Sequence, residues 1–243
     1  MFCLSTTTQT VTMQLRFRSY EKEYLDGDAI ATPDLYRNLV ELDIINKQLG
    51  GYNASLNGLS TILSERPIKT LMDIGFGGGD SIKQLAKLAA KKKANLFFYG
   101  VDLKQDCVNY AERNLADIPN KQLICNDYRN ISADLLKQVD VMHCSLFLHH
   151  LTDDEIVNLF KFGKAHNCIV LANDLHRNWF AYYSIKWLTA MFSKSYLVKN
   201  DAPLSVRRGF RKNELLSLLQ KSGYTKYSVK WSWAFRYIII ATE

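Results

Sequence analysis

The stretch KTLMDIGFGGGD, residues Lys69 to Asp80, decides how the rest of the chain is read. An apolar run ends in an acid, Asp73, and the chain then passes through four glycines in five residues, Gly75 to Gly79. Without side chains at Gly75, Gly77, Gly78 and Gly79, a ligand can come close to the main chain. A helix beginning near Asp80 offers it free N–H groups and the positive end of a dipole. The dinucleotide fingerprint G-x-G-x-x-G fails here. Its third glycine falls on Asp80 when counted from Gly75, and on Ile82 when counted from Gly77.

Outward from this loop, short apolar runs alternate with helical patterns. The runs are TLMDIG, NLFFYGVD, QLICND, VDVMHCS and CIVLAND; the segments between them include DSIKQLAKLAA, KQDCVNYAERNL and TDDEIVNLFKF. Such alternation means a parallel sheet wrapped by helices. Thr152 with Glu155 forms a capping-box signal before Ile156 and Leu159. YSVKWSW and FRYIIIATE close the chain as two further strands, a hairpin on the sheet edge. Upstream, Leu35, Leu39, Leu42 and Ile45 recur at helical spacing until Gly50 and Gly51 stop the helix. The expected organisation is a loose extension over 1–14, with Met13 a second candidate start, then a helical cap over 15–66. The main domain over 67–243 carries a cap insertion at about 176–212, rich in aromatics, with Trp179, Tyr182, Tyr183 and Trp187 as candidates for an apolar pocket lining.

The 243 residues fit one large α/β domain or one domain with an appendage, and 47% hydrophobic content is ample for a core. The balance of 31 basic and 24 acidic residues gives +7, which would suit nucleic acid or an anionic membrane. The lysines fall mainly on outer helix faces, as at Lys83, Lys87 and Lys91 to Lys93, so a solvated surface is expected and no nucleic-acid partner. Cys3, Cys107, Cys125, Cys144 and Cys168 form no CxxC pair and read as thiols of a reducing compartment, the cytoplasm. The N-terminus lacks the charged and apolar regions of a signal peptide, and no run of 18 apolar residues occurs. No spacing of His, Cys, Asp and Glu suggests a metal site, so none is expected. No G-x-S-x-G elbow is present.

Ligands of parallel open sheets bind beyond the carboxyl ends of the strands. Asp73 at the first strand end suits a cationic amine. Asp102, ending the second, can accept two hydrogen bonds from a ribose diol. Asp127 and Tyr128, ending the third, can accept from an exocyclic amine and cover a purine face. Together they describe an amino acid joined to an adenosine.

The ordered set LMDIGFGGGD, GVDL, CND and VDVMHCSLFLHHL, spanning about 69–174, resembles the class I S-adenosylmethionine-dependent methyltransferases. RSYEKEYLD, NDLHRN and PLSVRRGF extend the likeness toward small-molecule enzymes of the ubiquinone and menaquinone type, some of them encoded beside type III polyketide synthases. The resemblance implies a Rossmann-like, doubly wound, seven-stranded α/β sheet, mostly parallel with an antiparallel edge strand, plus a helical cap. It implies S-adenosyl-L-methionine as cofactor. Asp73 with Gly75, Phe76, Gly77 and Gly78 would hold the methionine end, Asp102 the ribose, Leu103 the adenine, and Asp127 and Tyr128 the adenine edge. Ser145 would lie beside the sulfonium. Phe76 departs from the cysteine or alanine commoner at its position and is expected to narrow the pocket.

A sulfonium methyl is already activated, so positioning and desolvation supply much of the rate. A phenolic nucleophile also gains from a base of near-neutral pKa. His149 and His176 are the candidates, with His150 expected to point elsewhere. The acceptor is expected to be a small aromatic or lipophilic molecule of the phenol, quinol or polyketide type, with O-methylation favoured. A lipid acceptor would add a peripheral membrane contact. The alternatives are C-methylation of a quinone-type ring and a non-catalytic S-adenosylmethionine-binding module. The fourth strand end, CSLFLHH, lacks the Asn/Asp-Pro-Pro-aromatic box of amino-methylating enzymes that act on nucleic-acid bases.

Overall fold

The computed structural model describes residues 15–27 and 29–243. The expected loose extension over 1–14, with Cys3 and the alternative start Met13, lies outside the described residues. Among the described residues seven strands form one sheet: β1 (Thr70–Ile74), β2 (Phe97–Asp102), β3 (Lys121–Cys125), β4 (Val141–Ser145), β5 (Ile169–Leu175), β6 (Lys226–Ser232) and β7 (Arg236–Thr242). Their order is β3-β2-β1-β4-β5-β7-β6. The first five run parallel, and β7 runs antiparallel to both β5 and β6. The antiparallel strand therefore sits one place in from the edge, with β6 outermost. The chain order reverses between β1 and β4, and that switch point opens a crevice at the carboxyl ends of the strands.

Nine α-helices are present among the described residues: α1 (Thr32–Gln48), α2 (Asn53–Glu65), α3 (Asp80–Lys91), α4 (Gln105–Asn114), α5 (Ala133–Leu136), α6 (Asp153–Ala165), α7 (Trp179–Phe192), α8 (Tyr196–Arg208) and α9 (Lys212–Lys221). The central strands are buried on both faces, which is why β4 and β5 read as continuous apolar runs rather than alternating ones. On one face Leu59 and Ile62 of α2 and Ile82 and Leu85 of α3 pack with Leu71 and Leu171. On the other, Ile156, Leu159 and Phe160 of α6 and Leu215 and Leu218 of α9 pack with Met72, Met142 and Val170. Thr152 caps α6 reciprocally with Glu155, as its spacing predicts.

The expected cap over 15–66 is divided. Residues 53–65 belong to the sheet layer, because Gly58 lets α2 approach so closely that a Cβ there would lie 2.3 Å from Leu171 Cδ1. Only the segment before it lies elsewhere. Leu35 and Leu39 of α1 pack with Cys107 of α4, and a Cβ on Gly77 would stand 3.6 Å from Leu39 Cδ2, which places α1 against the glycine loop. α7 and α8 fill the expected insertion between β5 and α9.

Candidate active site

The register of β1 and β4 sets Asp73 opposite His143. Asp73 is 1% exposed, and its Oδ1 meets His143 Nδ1 at 2.7 Å. The second ring nitrogen of His143 meets Ser55 Oγ at 2.8 Å. Asn173 at the end of β5 donates to Ser55 Oγ and to Ser145 Oγ, both at 3.3 Å. A buried polar chain thus runs from Asp73 through His143, Ser55 and Asn173 to Ser145. Asp73 Oδ2 is also buried and has no hydrogen-bond partner among the described residues. Leaving such an oxygen without a donor costs about 1–3 kcal/mol or more. A ligand ammonium is the kind of group that relieves it.

Gly75, Gly77 and Gly79 hold φ of +69°, +56° and +79°, the left-handed region that L-residues avoid. Gly77 N–H donates to Asp102 Oδ2 at 2.9 Å and Lys104 N–H to Asp102 Oδ1 at 3.0 Å. Both oxygens keep a lone pair, so a diol remains within their capacity. Burial pushes the Asp102 carboxyl up, while the Lys104 and Gly77 N–H groups hold it down; burial prevails. Asn114 braces the loop, donating to the Gly78 carbonyl and to Asp80 Oδ1, both at 2.8 Å.

Phe76 corrects an expectation. Its ring is buried in the core, where a Cβ on Gly100 would lie 2.8 Å from it, so the residue does not narrow the crevice and only its main chain belongs to the loop. The signal was in the sequence, since a glycine inside a strand, here in FFYGVD, marks a close approach. Leu103 is 69% exposed next to Asp102. Asp127 accepts from Arg129 N–H at 2.9 Å and from its guanidinium, which holds the carboxyl below its usual range. The Tyr128 ring is buried edge-on to Phe147 and Phe162, each at 6.0 Å. Asp127 and Tyr128 thus stand outside the polar chain that joins Asp73 to Ser145.

After β4, Leu146 turns at φ +54°. Phe147 then lies against Gly75, and Leu148 to His150 form a single 3-10 turn. His149 is 3% exposed; its Nδ1 meets Asp174 Oδ1 at 2.8 Å and its Nε2 faces Glu23 Oε1 at 3.6 Å. His150 does not point away as expected. Residues in such a turn step by about a third of a rotation rather than alternating between faces. The two imidazole centroids are 4.2 Å apart. His150 Nδ1 meets Asp26 Oδ1 at 2.6 Å and its Nε2 faces Glu23 Oε2 at 3.9 Å. Burial pushes the Glu23 carboxyl up to about 7. Burial also works against ionised Asp26, but His150 and Arg208 outweigh it and hold that carboxyl well below its usual range.

His176 lies apart from this cluster. Its ring packs on Tyr237 and lines a separate cleft with Leu15, Arg177, Asn178 and Arg211. Burial, then the charges of Arg177 and Arg211, lower its pKa. Sequence reasoning passed over His143, Ser55, Asn114, Glu23, Asp26 and Asp174. Each acts through a partner distant in the chain, and only Asp174, in the run CIVLAND, lay on an edge already under suspicion.

Residues 71–166 match a methyltransferase domain family. Ubiquinone biosynthesis O-methyltransferase, mitochondrial, of Saccharomyces cerevisiae is 29% identical over 93 residues, covering 38% of this chain. The aligned stretch spans 28% of that curated relative. Among solved structures, the plantazolicin methyltransferase in complex with SAH has a TM-score of 0.61 at 14% identity, covering 85% of this chain and 90% of that one. The magnesium protoporphyrin IX methyltransferase from Synechocystis PCC 6803 with bound SAH has a TM-score of 0.52 at 14% identity, covering 98% and 94%. At these identities the structural likeness speaks for the fold.

Proposed function

We propose, on the premise that residues 71–166 are an S-adenosylmethionine-dependent methyltransferase domain, that the protein methylates a small aromatic or lipophilic acceptor of the phenol, quinol or polyketide type, at oxygen. The observation that carries the cofactor side is the unpartnered, buried Asp73 Oδ2 beside the glycine turn, with Asp102 one strand away. In this reading Asp73 takes the ammonium, the loop from Gly75 to Gly78 takes the methionine end, and Asp102 takes the ribose. Leu103, Asp127 and Tyr128 would border the adenine, and Ser145 the sulfonium side. When bound, the cofactor supplies a methyl group already activated for displacement. The chain supplies orientation, exclusion of water and a place for the acceptor's proton.

His149 is the base this reading favours. Asp174 fixes its Nδ1, so Nε2 is the working atom. His176 is the second candidate, and the unpartnered Nδ1 of its ring supports keeping it in view. α1, α7 and α8 would form the cap over the acceptor. Trp187, Met191 and Phe192 on α7 are 68%, 67% and 73% exposed, which suits a greasy acceptor and a peripheral contact with the membrane that holds it. No helix among the described residues is long and apolar enough to cross a membrane. The free thiols of Cys107, Cys125, Cys144 and Cys168 accord with a cytoplasmic setting.

The acceptor side is tested by offering phenols, quinols and polyketide-type resorcinols with methyl-labelled cofactor. Label on oxygen is expected; label only on ring carbon would overturn O-methylation. On the cofactor side, Asp102→Ala is expected to cost about 1–3 kcal/mol of S-adenosylmethionine binding, the scale of charge-assisted hydrogen bonds. Unchanged affinity by calorimetry would remove Asp102 from the ribose role.

A further inference from the structure

We infer that Glu23, His149 and His150 form a binding site for one divalent transition-metal ion of the zinc or iron(II) class. The three side chains bring their ligand atoms within 4.8 Å of one another: the His149 Nε2 lies 3.6 Å from Glu23 Oε1 and the His150 Nε2 3.9 Å from Glu23 Oε2. These separations exceed hydrogen-bond lengths. Two metal bonds of about 2.1 Å at a tetrahedral angle would place their ligand atoms roughly 3.4 Å apart, close to what is found.

The outer contacts point the same way. Each imidazole meets a carboxylate through Nδ1, His149 with Asp174 at 2.8 Å and His150 with Asp26 at 2.6 Å. This fixes the tautomer that turns both Nε2 lone pairs toward Glu23, the arrangement in which histidines ligate metals. Glu23 Oε1 is itself oriented by the Ser205 hydroxyl at 2.8 Å. The acidic side chains of Glu23, Asp26 and Asp174 surround the two rings, while the guanidinium of Arg208 bonds Asp26 at 2.6 Å and lies 3.9 Å from Glu23 Oε1. The surplus of negative charge suits a dication.

A closed knot of ion pairs is the rival reading. A knot would draw the Nε2 atoms onto Glu23. They are instead held off by contacts that tie the N-terminal segment, the turn after β4 and α8 to one another. Arg18 grips the carbonyls of Leu148, His149 and Leu151, and Asp201 accepts the N–H groups of Tyr24 and Leu25 at 2.9 Å. Arg208 Nε reaches the His149 carbonyl at 2.9 Å. The N-terminal segment and the turn after β4 are thus locked in register with the ligand atoms apart.

Two imidazoles and one carboxylate leave a coordination position for water or a substrate oxygen. If the methyl-transfer reading holds, on which this consequence alone rests, the acceptor hydroxyl would take that position. The cation would then use the His149 lone pair and ease loss of the acceptor's proton to solvent, as bound metals do for water.

The test needs no acceptor. The full chain, stripped with a chelator, is titrated with Co²⁺ and followed by visible absorption. One equivalent is expected to bind with d–d bands of low-coordinate cobalt and to be displaced by Zn²⁺. Glu23→Gln and His150→Ala should abolish the bands, and Asp26→Asn should weaken binding by about 10- to 100-fold. His166→Ala, whose ring meets the Phe162 carbonyl, should change nothing. Absence of d–d bands in the wild-type chain would overturn the site, as would wild-type bands in folded Glu23→Gln and His150→Ala. Cobalt binding without methyl transfer would leave the site standing and sink the proposed reaction; transfer unaffected by chelation, with no cobalt bound, would do the reverse.

Discussion

Replacing His149 with alanine is expected to lower kcat for methyl transfer by about 10²- to 10⁴-fold, the usual cost of losing a proton-handling group, while S-adenosylmethionine affinity stays unchanged. The cofactor contacts assigned to Asp73 and Asp102 lie on β1 and β2, and His149 follows β4, so its removal touches the acceptor side. Asp174 is wholly buried and its carboxyl is held low by His149, although burial opposes it. His149→Ala therefore also strands a buried carboxylate and is expected to lower stability. Circular dichroism and cofactor calorimetry separate that loss from the chemical one. Asp174→Asn offers a second view: it keeps the volume but disturbs the tautomer, so kcat should fall with little change in KM. Near-normal kcat in folded His149→Ala would remove this residue and turn attention to His176.

Gly75→Ala is expected to be the most damaging small change in the glycine turn. At φ +69° an alanine costs roughly 1–2 kcal/mol. Its Cβ would also lie 2.4 Å from Phe147 Cδ2, and overpacking of this kind costs typically 1–3 kcal/mol. The displaced Phe147 follows Leu146 out of β4, so the disturbance reaches Ser145 and the turn carrying His149. Gly77→Ala is the control. It shares the left-handed φ but meets only Leu39 Cδ2, at an ordinary 3.6 Å. Gly75→Ala should therefore melt several degrees below Gly77→Ala and bind cofactor more weakly. Equal melting temperatures would mean that the Phe147 contact does not constrain the turn.

The parts of this molecule legible in the sequence are those fixed by neighbours in the chain. Alternation of apolar runs and helical patterns gave the parallel strands, and the strand-end acids Asp73 and Asp102 could be named before any fold was known. The closing hairpin was legible as well, although nothing local says that β7 pairs with β5 and leaves β6 outside. The helix Asn53–Glu65 falls in the expected cap because its role rests on contacts distant in the chain, such as Gly58 on Leu171 and Ser55 on His143. The Phe76 ring went astray for the same reason, its partner being Gly100. The cluster around Glu23 was hidden most deeply. Spacing rules for metal sites look for ligands close in sequence, whereas here an N-terminal residue meets a histidine pair after the fourth strand. His150 was expected to point away from His149, where a 3-10 turn brings the two side chains together.

The measurement that bears most directly on the central claim is calorimetric titration of the wild-type chain with S-adenosylmethionine and S-adenosylhomocysteine, with NAD as comparator and Asp73→Asn as the paired variant. The predicted result is one site per chain for both adenosyl ligands, no heat from NAD, and marked weakening in Asp73→Asn, where the oxygen that meets the ammonium loses its charge. Binding of NAD, or no binding of either adenosyl ligand to the folded wild-type protein, would contradict the account.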